Sequence, residues 1–223
     1  MNAGAGIRNW FRGSPTTQVA SGIAALAYSL AFVQRPGRVF TDTRIELTID
    51  PVRFLHAVAS MWSSTGDLGH VQSGEFVGYL IPMAPWYAFA HAIGLPTWVA
   101  QRIWLGTLLA AAGVGVVLLV AALLSRRAHV GQAVAGVLYV ANPYVVVVTG
   151  RTSDWLVAYA AFPWVLLAVH RGIRQPRAWR WPAVIALLML VANGGVNAAL
   201  PFWVKKDFLY AATTSSAAPL LEL

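Results

Sequence analysis

The segment RPGRVFTDTRIELTIDPVRFLHAVASMWSSTGDLGHVQSGE, residues 35–75, decides the fold, because it is the only long segment of the chain too polar to lie in lipid. It holds five of the chain's eight acidic residues: Asp42, Glu46, Asp50, Asp67 and Glu75. Apolar runs precede and follow it. We therefore expect residues 35–77 to form a loop between membrane helices, and we expect any chemistry where this loop meets the bilayer.

Composition places the chain among polytopic membrane proteins. Of its 223 residues, 58% are hydrophobic and only 11% are charged, about half the charge of an ordinary soluble domain. The sequence contains no cysteine, so disulfide and thiol chemistry are excluded. The net charge of +8 does not indicate nucleic acid here, because most arginines flank apolar runs, where they set topology and meet lipid headgroups.

Apolar runs of suitable length predict an all-α, polytopic transmembrane fold with about five spans and no internal repeat. The predicted spans are residues 16–33, 98–124, 130–148, 155–169 and 181–203. An alternative for the first run is a cleaved signal peptide, although no convincing small-residue cleavage site precedes the loop. Residues 1–203 thus form the membrane region. Residues 204–223 diverge from this pattern, and we expect the chain to be a truncated or frame-shifted piece of a longer protein.

The short apolar run at residues 78–94 is interrupted by Pro82 and Pro85. If it crossed the membrane, the basic cluster at Arg126 and Arg127 would lie outside the cell. If it is re-entrant or interfacial, that cluster lies in the cytoplasm, as the positive-inside rule prefers. We favour the second interpretation. Irregular backbone at membrane depth must face protein or a water-filled cavity, so this run should line a site.

The loop itself contains a predicted amphipathic helix that starts at Asp50 and Pro51, since Asp caps helices and Pro suits their first turn. With a period of 3.6, an apolar arc and a polar arc lie opposite each other, as in helices that rest on a membrane surface. The apolar arc is Phe54, Leu55, Val58, Met61 and Trp62; the polar arc is Arg53, His56, Ser60 and Ser63.

Two aspartates are candidates for acid–base chemistry. Asp42, about eight residues beyond the first span, would be held at the outer interface, where a carboxylate can act as general base on a sugar hydroxyl. The alternative is a solvated loop residue. Asp154 is the only acidic residue of the second outer loop and the natural partner of Asp42, but it is also well explained as a helix cap.

Arg102 is the main candidate for binding an anion, because an arginine one turn into a span needs an anion or must extend to the interface. A lipid phosphate would satisfy it with two hydrogen bonds. Arg44, Arg53 and His56 are weaker candidates for the same task.

Other polar and aromatic residues of the loop region could contact a sugar or a cation. Gln72, Tyr79 and Trp86 suit hydrogen bonding to and stacking on sugar, although tryptophan in a membrane chain more often belongs to the interfacial belt. Glu46 and Asp50 could bind a divalent cation such as Mg²⁺ or Ca²⁺, support other groups, or be simply solvated. Asp50 is best explained as the helix cap, and we assign no metal ligands.

The sequence resembles a known family in three segments: TDTRIELTIDPVRFLHAVASMW (41–62), GDLGHVQSGEFVGYLIPMAPWYAFAHAIGLPTWVAQRIW (66–104) and GVLYVANPYVVVV (136–148). They are similar to the amino-terminal membrane region of actinobacterial alpha-(1→3)-arabinofuranosyltransferases, large polytopic enzymes with the C-type glycosyltransferase fold. Residues 42–104 are the most specific part. The chain has no nucleotide-phosphate loop, HExxH or GxSxG motif, which argues against a soluble nucleotide-sugar enzyme.

The resemblance implies a donor of polyprenyl-phosphate arabinofuranose and an acceptor in cell-wall arabinogalactan or lipoarabinomannan. It implies a plasma-membrane enzyme whose active face lies outside the cytoplasm. Asp42 matches the position of the catalytic aspartate in the first outer loop, and residues 50–62 and 78–94 would be the two juxtamembrane helices. No family motif surrounds Asp154. Family members are several times longer, so this chain could be inactive alone.

Two other functions remain as alternatives. A transporter component would carry charged groups in mid-span and often repeated halves, and the predicted spans contain almost no acidic residues. A non-catalytic membrane scaffold that binds an intact enzyme has no sequence feature against it.

Overall fold

The computed structural model describes residues 14–33, 35–40, 45–58, 60, 62–63, 69–71, 79–124, 128–149, 153, 155–174 and 180–193. These residues form a mostly helical structure with one short pair of strands. In chain order the elements are α1 (Pro15–Phe32), α2 (Ile45–Ile49), α3 (Pro51–Val58), β1 (Trp62–Ser63), β2 (His70–Val71), a π-helical turn (Tyr79–Met83), α4 (Ala84–Ala92), α5 (Thr97–Leu123), α6 (His129–Val140), α7 (Pro143–Thr149), α8 (Trp155–Arg174) and α9 (Arg180–Asn193).

Helix α5 is the centre of the bundle and packs against α1, α6 and α8. Its 27 residues span about 40 Å at 1.5 Å per residue, more than the hydrocarbon core of a bilayer. Glycines allow the close packing. A Cβ at Gly106 would lie 2.5 Å from Cδ1 of Tyr28 on α1, and one at Gly115 would lie 2.7 Å from Nε1 of Trp164 on α8.

Two helices, α5 and α8, are long and apolar enough to cross a membrane, with mean hydropathies of 2.4 and 1.5. Helices α6 and α7 bend by 41° at residues 141–142 and together would make a third span. Of the five predicted spans, length and composition thus support two or three within the described residues. Helix α1 coincides with the first predicted run, and α9 covers the described part of the last.

The amphipathic helix of the loop begins where predicted but ends earlier. Asp50 Oδ1 accepts a hydrogen bond from the Arg53 N–H at 3.0 Å, which confirms the cap. Helix α3 ends at Val58, so its predicted extension to Trp62 was wrong. The Ser60 hydroxyl bonds both the N–H and the carbonyl of Trp62, which competes with helical hydrogen bonding. Trp62 then pairs with Val71 in an antiparallel ladder.

The proline-interrupted run is too short to cross a membrane in helical form. Its backbone leaves helical geometry at Ile81, and the Ile81–Pro82 peptide bond is cis. Helix α4, which follows, has nine residues and is about 14 Å long. The predicted break is confirmed, and α4 packs against both α3 and α5.

Candidate functional site

The first turns of α5 carry polar side chains that are buried among the helices. Gln101 and Arg102 are only 5% and 1% exposed, and Trp104 is also buried. Buried polar groups need partners. The partners of these three residues lie in the two segments that precede the predicted aspartates.

Gln101 holds the start of the polar loop at residues 35–77 through both ends of its amide group. Its Oε1 accepts from the Phe40 N–H at 2.8 Å, and its Nε2 donates to the Phe40 carbonyl at 3.0 Å. The Gln101 amide thereby pairs with the backbone of Phe40 as a residue of a neighbouring β-strand would. Phe40 stands two residues before Asp42 in the sequence.

Arg102 is a buried cation with only part of its hydrogen-bonding capacity used. Its Nη2 donates to the Arg38 carbonyl at 3.1 Å, and its Cζ lies 4.7 Å from the centroid of the Phe40 ring. Nε and Nη1 have no hydrogen-bond partner among the described residues. Burying a charge is costly unless it is paired, and an N–H group of a guanidinium is a strong hydrogen-bond donor to an oxyanion.

Trp104 holds the connection between α7 and α8. Its indole N–H donates to the Ser153 hydroxyl at 3.2 Å, and that hydroxyl lies 4.0 Å from the sulfur of Met83. Ser153 directly precedes Asp154 in the sequence. On the same turns, the Ala100 carbonyl accepts from the Trp86 indole at 3.1 Å, so α4 is fixed to the same end of α5.

The structure describes four of the predicted site residues, Arg102, Arg53, His56 and Tyr79. Arg102 lies at the end of α5 just described. Arg53 and His56 are exposed on α3. Tyr79 is 3% exposed, and its ring meets Phe54 edge-on at 6.3 Å between centroids. The other predicted site residues lie outside the described residues: Asp42, Arg44, Gln72 and Asp154.

The two acidic residues considered for a cation are both exposed in the loop. Glu46 lies in the first turn of α2, and Asp50 caps α3. Within the described ranges, no three His, Asp or Glu side chains come together as metal ligands.

Comparison with known proteins identifies the family. The model of the family described as alpha-(1→3)-arabinofuranosyltransferase, N-terminal GT-C domain, matches residues 26–212. The chain belongs to this family. The match confirms the resemblance carried by residues 41–62, 66–104 and 136–148, all of which it includes.

Relatives and solved structures of the family agree. The chain is 34% identical over 178 residues to an alpha-(1→3)-arabinofuranosyltransferase of Mycobacterium tuberculosis, which covers 79% of this chain and 13% of that protein. It is 31% identical over 176 residues to that of Mycolicibacterium smegmatis, with 79% and 12% covered. A cryo-EM structure of a mutant of the mycobacterial arabinofuranosyltransferase AftD matches with a TM-score of 0.70 at 30% identity, over 78% of this chain and 14% of that chain.

These matches support the predicted C-type glycosyltransferase-like fold. A second AftD cryo-EM structure matches with a TM-score of 0.60 at 30% identity, over 69% of this chain and 12% of that chain. The chain thus spans about an eighth of the length of the curated relatives it matches.

Sequence reasoning missed three residues that organise this end of the bundle: Gln101, Trp104 and Ser153. Gln101 is a polar residue next to Arg102 in an apolar run, which is a signal of a buried contact. Trp104 and Ser153 carried no such signal, because tryptophan is common at membrane interfaces and serine is common in loops.

Proposed function

We propose that the chain is the amino-terminal membrane part of an arabinofuranosyltransferase. It would transfer arabinofuranose from a polyprenyl-phosphate donor to cell-wall arabinan, at the outer face of the cell membrane. The observation that carries this proposal is the set of side-chain contacts at the N-terminal end of α5, in a chain that belongs to this family. There, Gln101 and Trp104 hold the residues just before Asp42 and Asp154, and the buried Arg102 contacts Phe40, the residue that Gln101 also binds.

Covalent geometry supports a shared site for the two aspartates. Consecutive Cα atoms are 3.8 Å apart, so Asp42 can be no more than about 7.6 Å from Phe40, and Asp154 is one peptide unit from Ser153. Gln101 and Trp104 are three residues apart on α5 and therefore lie on one side of it. Both carboxylates are proposed to face the acceptor near Arg102.

In the proposed reaction, Asp42 takes the proton of the acceptor hydroxyl. The hydroxyl oxygen forms a bond to the anomeric carbon of arabinofuranose, and the bond from that carbon to the phosphate oxygen breaks. The lipid phosphate leaves with the bonding electrons. Arg102 is proposed to stabilise its charge with an N–H group of its guanidinium, in a water-poor setting where such hydrogen bonds are strong.

Further residues are proposed to bind substrate. Arg44, Arg53 and His56 would attract the lipid phosphate or headgroups at the loop surface, and Gln72 and Tyr79 would contact sugar. The proposed topology has five spans, with the loop at residues 35–77 outside and Arg126 and Arg127 in the cytoplasm.

Transfer from a synthetic polyprenyl-phosphate arabinofuranose to an arabinan acceptor tests the proposal. Asp42→Asn should lower the rate at least about 100-fold, since general-base catalysis contributes roughly that much or more. Asp50→Asn is the matched control, because it removes a carboxylate from the same loop and asparagine caps helices equally well. Wild-type rates in Asp42→Asn would show that another group is the base.

A scaffold is the second candidate, because the chain covers only 12–13% of its curated relatives. The same transfer assay on the 223-residue chain alone distinguishes an enzyme from a scaffold. Transfer by the isolated chain supports the enzyme. No transfer, together with co-purification of a full-length relative co-expressed with the chain, supports the scaffold.

A further inference from the structure

A small cavity lies at the opposite end of the bundle from Arg102. Its volume is about 200 Å³, and its lining comes from three helices: Ser14, Thr16 and Thr17 at the start of α1, Leu118, Ala121 and Ala122 near the end of α5, and Arg171 in the last turn of α8. Along α5, Trp104 and Ala121 are about 25 Å apart at 1.5 Å per residue. That separation approaches the thickness of the bilayer core, so the cavity lies at the other membrane interface.

The polar side of the cavity is built from hydrogen-bond donors. Thr16 is 8% exposed, yet its hydroxyl makes no hydrogen bond within the described residues. Ser14 accepts from the Thr17 N–H at 3.4 Å, and the two hydroxyls lie 3.0 Å apart. Because one hydroxyl of that pair donates to the other, the hydrogen of the second is available to a ligand.

Charge favours an anion in this cavity. The N-terminus of α1 carries the positive end of the helix dipole, and Arg171 adds a full positive charge. The Arg171 Cζ lies 5.5 Å from the centroid of the Trp181 ring, a contact that restrains the guanidinium at the cavity mouth. No acidic side chain is among the lining residues of the described chain.

We propose that this cavity binds the phosphate group of a membrane phospholipid. Thr16, the Ser14–Thr17 pair and Arg171 contact the phosphate oxygens, and Leu118, Ala121 and Ala122 meet the adjoining apolar part of the lipid. A lipid is the source that fits, because the cavity has an apolar side and lies at the ends of membrane-crossing helices. The site is separate from the proposed donor phosphate at Arg102.

Native mass spectrometry of the 223-residue chain in detergent tests this site. Phosphatidylglycerol is the probe, and diacylglycerol with the same acyl chains is the control lipid, because it lacks the phosphate. Thr16→Val and Arg171→Gln should each weaken phosphatidylglycerol binding about tenfold or more, as expected for loss of a hydrogen bond to a charged group. Thr16→Ser keeps the hydroxyl and should bind like the wild type. Arg174→Gln removes a charge from the same helix outside the cavity and should also bind normally.

Several results would overturn the proposal. Equal binding of phosphatidylglycerol by Arg171→Gln and the wild type would exclude the site even if Thr16→Val failed to fold, since Arg171 is exposed. Equal binding of diacylglycerol would show that phosphate is not recognised. Displacement of the lipid by excess inorganic phosphate would identify free phosphate as the ligand in place of a lipid.

Discussion

At the residue scale, Gln101 and Arg102 show how one turn of a membrane helix can order the start of a loop. Gln101 satisfies both backbone groups of Phe40, and Arg102 binds the Arg38 carbonyl and lies over the Phe40 ring. The loop start is therefore fixed by three hydrogen bonds and a cation–π contact. Fixing this backbone is what the proposed base needs, because catalytic groups work only when held in productive geometry.

Replacing Gln101 should loosen this anchor without unfolding the bundle. In Gln101→Leu, the Phe40 N–H loses its acceptor, and a hydrogen bond contributes about 0.5–1.5 kcal/mol. Amide hydrogen exchange in residues 38–40 should accelerate several-fold, up to about tenfold. The exposed Gln18 provides the control Gln18→Leu. Unchanged exchange at Phe40 in Gln101→Leu would mean that the paired hydrogen bonds do not hold the loop.

Sequence alone drew attention to Arg102, whose anion-binding role stays a prediction, but not to its neighbours. A charged residue inside an apolar run is visible in sequence because its burial is costly. Gln101 bonds backbone atoms 61 residues away, and backbone donors and acceptors leave no mark in the sequence. The contact of Trp104 with Ser153, 49 residues away, was unpredictable for a similar reason, since it depends on how α5 packs.

At the scale of elements, local chemistry predicted the start of α3 but not its end. Asp50–Pro51 marked that start, and the Asp50 carboxylate accepts from the Arg53 N–H. The cap of α1, where the Ser14 hydroxyl accepts from the Thr17 N–H, was not predicted. The end of α3 was wrong because the Ser60 hydroxyl turns the chain, and Trp62 then lies over Gly69. That glycine has φ +89°, and a Cβ there would lie 2.6 Å from Trp62 Cζ2. A helix would hold residues seven apart about 10 Å from each other along its axis, so this close contact requires the chain to fold back.

The packing of α1 on α5 predicts that replacing Gly106 with alanine lowers the stability of the protein and that replacing Gly22 with alanine raises it. In Gly106→Ala the new Cβ meets the Tyr28 ring. The ring is restrained because the Tyr28 hydroxyl is hydrogen-bonded to the Thr107 hydroxyl at 2.8 Å. Overpacking of this kind costs about 1–3 kcal/mol. Gly22 on α1 has nothing within 4 Å of its Cβ position, so Gly22→Ala should gain up to about 1 kcal/mol from helix propensity. Thermal unfolding midpoints in one detergent should fall for the first variant and rise for the second.

A midpoint for Gly106→Ala at or above that of the wild type would contradict the close contact of α1 with α5. A fall for Gly22→Ala would instead show that this face of α1 is covered in the folded protein. The two variants carry the same chemical change, so any difference between them comes from the surroundings of each glycine.

At the scale of the whole molecule, the two ends of the bundle differ in chemistry. One end contains the anchored loop, the buried Arg102 and the first turns of α5. The other contains the start of α1 and the last turn of α8, where Arg171 and Arg174 lie. Because basic residues favour the cytoplasmic side, the sequence predicts that the second end faces the cytoplasm. The number of spans was less predictable, since α4 and the bent pair α6–α7 are apolar but irregular.

The sidedness of these two ends can be measured directly, because the chain contains no cysteine and a single introduced thiol gives no background. Val39→Cys places a thiol in the loop segment before Asp42, where Val39 is 39% exposed, and Ile173→Cys places one at the end of α8, where Ile173 is 69% exposed. A membrane-impermeant maleimide should label the first variant in intact cells and the second only after permeabilisation. This follows because Arg171 and Arg174 favour the cytoplasm, and because a transfer from lipid-linked sugar to cell-wall arabinan requires the loop outside. The reverse pattern would place the loop in the cytoplasm and remove the basis for Asp42 as the catalytic base.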